Sequence, residues 1–145
     1  MTKQINPHKY IDFVNNVTSI SSSNPEAFID RVNELERKLP QDNINGVGVD
    51  LNRLLTAAIG ICAEGGEFAE IVKKISFQGK SYNEANREHM IVELGDVMWY
   101  IAQGCIALGV DFNEILERNV TKLTSRYPEG TFDVYYSENR KEGDI

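Results

Sequence analysis

Histidine is nearly absent from this chain, and so is cysteine, with two of each in 145 residues. With only His8 and His89 available, neither a histidine triad for zinc nor a histidine-rich catalytic centre can be assembled. The Glu-x-x-His element of ferritin-like di-iron bundles is missing too. Cys62 and Cys105 lie in apolar surroundings without CxxC spacing, so they read as reduced core thiols, not as a disulfide framework or a nucleophile. Neither a P-loop lysine signature nor a dinucleotide fingerprint occurs. Positive charge is in deficit: 15 Lys and Arg against 22 Asp and Glu leave a formal net charge of −7 and a pI near 4.8. That balance argues against a nucleic-acid polymer or an anionic membrane as partner, although a local basic cluster can still hold a small anion.

Long period-2 alternation is lacking as well, which removes a sheet from consideration. The residues from Met1 to Tyr10 are polar, without the apolar core of a signal peptide. The longest apolar stretch, Ile91 to Val110, approaches membrane-span length but carries Glu93, Asp96 and Gln103. Charge at mid-span is costly in lipid, so the expectation is a helix buried in protein.

What remains is helical. Tyr10, Phe13, Val14 and Val17 recur at helical spacing and predict a first helix over about 8–20. Asn24-Pro25-Glu26 reads as cap, first-position proline and acidic first turn of a second helix, which Pro40 closes before a loop over 41–48. Asp50 caps a long third helix to about Ile75, and the pattern breaks at Phe77 to Lys80. Ser81 to Glu84 resembles a capping box that opens a fourth helix to about Leu108, with Gly109 just past its end. Asp111 starts a fifth helix that stops before Pro128, and the rest is expected to be an irregular tail with a short extended piece at Thr131 to Tyr136. The fold class is all-α: an antiparallel bundle of about five helices forming one domain over 1–145. Within it, 1–48 holds the N-terminal helices, 49–127 the two long central helices and the fifth, and 128–145 the tail.

Two acidic pairs stand out against this background. Glu64-Gly-Gly-Glu67 lies on the third helix and Glu93-Leu-Gly-Asp96 on the fourth, each spaced so that both carboxylates share one face. Antiparallel packing can bring all four to one spot, where hard oxygen ligands suit Mg²⁺, with Mn²⁺ as a substitute. Neither Glu93 nor Asp96 is expected to have a basic partner three or four positions away, so a metal, not an intrahelical ion pair, is the expected counterweight. Gly65 and Gly66 each cost a helix interior about 1 kcal/mol relative to alanine, which points to something approaching the backbone there. The plainer alternative is a solvated helix edge. Glu70 is a further candidate ligand or base. Asn119, Lys122 and Arg126 share one face of the fifth helix and suit phosphate oxygens, although cations also favour a helix C-terminus by themselves. Lys73, Lys74 and Lys80 are additional candidates for phosphate contact.

Three runs taken in order, Ala63 to Lys74, Glu93 to Tyr100 and Asn119 to Pro128, resemble the MazG-like nucleotide pyrophosphohydrolases. These belong to the all-α NTP pyrophosphatase superfamily, and the resemblance covers roughly Asp50 to Pro128. It implies Mg²⁺-dependent cleavage of a (d)NTP to the (d)NMP and pyrophosphate. It also implies Glu64, Glu67, Glu93 and Asp96 as metal ligands, and Asn119, Lys122 and Arg126 facing the phosphates. Glu67 is favoured to orient or deprotonate the attacking water, with Glu64 beside it, and Lys122 and Arg126 to stabilise the leaving group. Trp99 or Tyr100 can wall the base slot, although Trp99 also reads as core. The expected assembly is a homodimer or homotetramer, and the expected location is the cytoplasm, or the host cytoplasm for a viral chain. Alternatives are dUTP or phosphoribosyl-ATP as substrate within the same superfamily, or a non-catalytic helical scaffold.

Overall fold

The computed structural model describes residues 6–37 and 50–140. All its regular elements there are helices: α1 (Pro7–Val17), α2 (Ile20–Ser23), α3 (Pro25–Arg37), α4 (Leu51–Phe77), α5 (Glu84–Leu108), α6 (Phe112–Arg126) and α7 (Val134–Glu138). The chain divides into two units, Met1–Leu51 and Asn52–Ile145.

In the first unit, Asn6 Oδ1 accepts from the His8 amide at 3.0 Å and starts α1. The single helix expected over 8–20 is broken. Thr18 turns extended, its hydroxyl donates back to the Val14 carbonyl at 2.7 Å, and Ser19 restarts the chain as the short α2. Local hydroxyl bonding competes with helix continuation here, which an apolar-spacing argument does not weigh. Asn24 caps α3 as expected, its Oδ1 accepting from the Ala27 amide at 3.0 Å. The expected stop at Pro40 and the loop over 41–48 lie outside the described residues.

The second unit is organised by α4 and α5, the two longest helices. Near the start of α4, Arg53 Nη1 donates to Gln103 Oε1 at 2.7 Å. One turn on, the Ala57 methyl lies where a Cβ on Gly104 would meet it at 3.6 Å, and next the Tyr100 ring covers Gly60. Positions rising along α4 thus meet positions falling along α5, so the two run antiparallel. The register carries Glu64 and Glu67 up to Glu93.

Between them, α4 ends at Phe77, where the Lys80 amide reaches back to the Lys74 carbonyl at 3.1 Å through Gly79 at φ 73°. Asn83, not Ser81, then caps α5, accepting from the Asn86 amide at 3.0 Å. The side chain two residues later satisfied the orphan amide, so the helix starts later than the capping-box pattern indicated. Gly109 ends α5 in the left-handed conformation and Asp111 caps α6 through the Glu114 amide at 2.9 Å, both as read from the sequence. The tail differs. In place of an extended piece, Asp133 accepts from the Tyr135 amide at 2.7 Å and opens α7.

Apolar burial within one chain is sparse. Ala57, Ile71, Cys105 and Ala107 are buried, whereas Cys62 is exposed, contrary to its reading as core. Helix α5 has the length and apolarity of a membrane span but is not enclosed by this chain. Ile91, Val92, Leu94, Met98, Trp99, Ile106 and Leu108 are all exposed along it. The side chain it buries most deeply is an acid, Glu93 at 5% exposure.

Candidate functional site

One carboxylate oxygen from each of Glu64, Glu67 and Glu93 lies within 4.8 Å of the other two. At metal–oxygen distances of roughly 2.1 Å, neighbouring oxygens in a Mg²⁺ octahedron stand about 3.0 Å apart, so these three must draw together by up to about 2 Å to share one ion. Glu93 is buried, Glu64 half-buried and Glu67 exposed. The cluster is therefore closed on the α5 side and open on the side of Glu67. Asp96 lies outside this group of three and is exposed, but it is near enough to act on Glu64.

The electrostatics record the crowding. Partial loss of water holds the Glu64 carboxyl above its ordinary range, and repulsion from Glu67, Asp96 and Glu93 adds to the shift. A hydrogen bond to Glu93, which favours the protonated form, acts in the same direction. Like charges gathered this closely favour a proton or a cation between them. All the donors are hard carboxylate oxygens, which select Mg²⁺ or Mn²⁺ over softer metals.

Glu93 does have a basic neighbour on its own helix. His89 Nε2 stands 2.8 Å from Glu93 Oε1, one turn earlier, which corrects the reading that no such partner exists. The signal is in the sequence as the i, i+4 spacing of His89 and Glu93. The contact orients the carboxylate, as outer partners of metal ligands commonly do.

Glu70 is drawn away from the cluster. Lys73 bonds it from one turn on and Lys74 Nζ stands 3.2 Å from its other oxygen, and these bonds hold its carboxyl below the ordinary range. A cleft of about 310 Å³ opens beside Glu67, lined by Ala63, Gly66, Glu70, Ile71, Lys74, Lys80 and His89. Of the expected phosphate contacts, it contains Lys74 and Lys80. Asn119, Lys122 and Arg126 lie on α6 and do not line it; Asn119 and Lys122 are exposed and Arg126 is half-buried.

Tyr100 packs on Gly60, and Trp99, 55% exposed, meets it edge-on at 4.8 Å and 88°. Neither ring lines the cleft. Gly65 and Gly66 were expected to admit a close neighbour, but a Cβ on either would meet open space within this chain. The glycine required by packing is Gly60.

A family model for the MazG nucleotide pyrophosphohydrolase domain matches residues 53–131, more than half of the 145. The chain belongs to the MazG nucleotide pyrophosphohydrolase family. The matched MazG segment holds α4 from its third residue, α5, α6 and the whole acidic cluster. The chain is also similar to the Gene 37 protein of Mycobacterium phage L5, 41% identical over 73 residues that make up 50% of this chain and 64% of that protein. It thus spans somewhat under two thirds of that relative's length. No solved structure matches.

Proposed function

We propose that the chain is a divalent-metal-dependent nucleoside triphosphate pyrophosphohydrolase. Water adds to the α-phosphorus of a (d)NTP, the bond from that phosphorus to the α–β bridging oxygen breaks, and (d)NMP and pyrophosphate leave. The observation that carries this reading is the convergence of Glu64, Glu67 and Glu93 inside a MazG domain.

Glu64, Glu67 and Glu93 would hold Mg²⁺ or Mn²⁺, with Asp96 completing the set. Such an ion supplies charge neutralisation of the polyphosphate and Lewis acidity. Glu67 would accept a proton from the attacking water, a role its exposure supports. His89 fixes the Glu93 carboxylate. Lys122 and Arg126, with Asn119, present cations and an amide toward the phosphates from α6, and Trp99 or Tyr100 offers an aromatic wall for the base.

A second copy of the chain covers the apolar faces left open on α4, α5 and α6, giving a homodimer or homotetramer. Ile59 at 67% exposure, Met98 at 49% and Val120 at 62% are the kind of surface a soluble subunit does not leave to water. The open space beside Gly65 and Gly66 gives that copy room to approach. The negative net charge argues against a nucleic-acid polymer or an anionic membrane as partner, and the cytoplasm is the proposed location.

The test is a panel of canonical and modified NTPs, dUTP and phosphoribosyl-ATP, assayed with Mg²⁺ for pyrophosphate release. Release from at least one NTP, abolished by chelation, is the expected result. A panel without turnover leaves a non-catalytic helical scaffold as the better account.

A further inference from the structure

The cleft beside Glu67 has two chemically different ends. One is the open side of the acidic cluster; the other holds Lys74, in the last turn of α4, and Lys80, in the turn that follows it. The backbone builds that second end: the Lys80 amide bonds the Lys74 carbonyl at 3.1 Å across the left-handed Gly79, which folds the chain back and sets the two lysines together. Helix polarity and Glu70 account for Lys74, whose Nζ stands 3.2 Å from a Glu70 oxygen. Neither accounts for Lys80. Its side chain is half-buried and lines the cleft, yet among the described residues it forms no ion pair. His89 closes the wall between the two ends.

We infer that this cleft is the seat of the pyrophosphate end of the substrate, with Lys80 as the residue that binds it and Lys74 as its partner. The identity of the anion rests on the pyrophosphohydrolase reading. A volume of about 310 Å³ lies at the small end of ligand pockets, which run roughly 300–1,000 Å³, and suits part of a nucleotide better than the whole. Apart from the His89 imidazole, the lining offers no ring on which a base could stack. A polyphosphate that shares a cation with the acidic cluster still carries excess negative charge further along, and the lysine end meets it. The cations previously expected to take this role, Lys122 and Arg126, are left for the phosphate nearer the nucleoside.

The probe is inorganic pyrophosphate, titrated by calorimetry against the full chain with Mg²⁺ and again with chelator. Lys80→Met keeps the aliphatic stem and removes the charge; it is expected to weaken pyrophosphate binding about tenfold or more, with Lys80→Arg recovering much of the loss. Arg87→Met is the control for general charge, since Arg87 pairs with Glu84 and Glu88 outside the cleft; its affinity should stay within about twofold of the parent. Circular dichroism and melting temperature monitor the fold of each variant. Unchanged affinity in folded Lys80→Met, equal losses in Arg87→Met, or no pyrophosphate binding by the parent would each overturn the subsite. Lys80-dependent pyrophosphate binding in a chain that hydrolyses no NTP would keep the subsite and remove the enzymatic reading. NTP turnover with Lys80-independent binding would do the reverse.

Discussion

The Tyr100 ring lies so close over Gly60 that a Cβ at that position would fall 2.1 Å from Tyr100 Cδ1. This contact sets the distance between α4 and α5 one turn before the acidic cluster, so it links packing to chemistry. Overpacking of this kind costs about 1–3 kcal/mol, against a gain of about 1 kcal/mol in helix propensity. Gly60→Ala should therefore melt a few degrees lower and gain less melting temperature from Mg²⁺. Scanning calorimetry with and without Mg²⁺ checks both. An unchanged Mg²⁺ response would uncouple this contact from the site.

Glu64 gives the metal-free protein a pH dependence of defined sign. Its carboxyl is raised in the folded state, by lost water first and by Glu67, Asp96 and Glu93 next. The folded chain thus holds a proton that the unfolded chain has released, and stability falls as pH rises from the ordinary carboxylate range through Glu64's raised value. Glu64→Gln should flatten that slope in chelator. In the parent, the melting-temperature gain from Mg²⁺ should shrink on acidification, because the ion competes with this proton. A melting series against pH, with Mg²⁺ and with chelator, reads both effects. A Mg²⁺ gain that persists undiminished in acid contradicts the assignment of Glu64.

His89 predicts a difference between two substitutions. His89→Ala removes the donor 2.8 Å from Glu93 and should weaken metal binding on the order of tenfold. His89→Gln offers an amide donor from nearly the same place and should recover most of it. Calorimetric titration of Mn²⁺ into both variants decides. Equal affinities for Ala and Gln would mean that the contact is incidental.

Much of this was legible in the sequence, for physical reasons that also mark where legibility ends. Helix ends written in side-chain chemistry, such as Asn24, Gly109 and Asp111, stand where the pattern put them, because a cap satisfies amides or carbonyls only a few residues away. The break at Thr18 and the late start at Asn83 turn on which of several neighbouring hydroxyls and amides finds a backbone partner, and composition ranks such rivals poorly. The meeting of Glu64, Glu67 and Glu93 followed from two i, i+3 spacings and antiparallel packing. The Lys74–Lys80 end of the cleft did not, because it depends on a turn that folds back through Gly79. Nor did the exposure of Cys62 and Trp99, since apolar spacing identifies a face without saying which chain covers it.

That open apolar surface carries its own expectation. Light scattering on the purified chain should give a mass of two or four subunits. Ile59→Glu or Met98→Glu should shift it toward the monomer while the far-ultraviolet helix signal remains. A parent that runs as a monomer at every concentration would contradict the proposed assembly.

The most direct measurement is a Mn²⁺ titration followed by electron paramagnetic resonance, on the parent and on Glu64→Gln and Glu93→Gln. At least one bound Mn²⁺ per chain is expected in the parent, displaced by Mg²⁺, with affinity falling by about tenfold or more in each variant while helix content stays constant. Binding by either folded variant that equals the parent, or a parent that binds no Mn²⁺, would contradict that expectation.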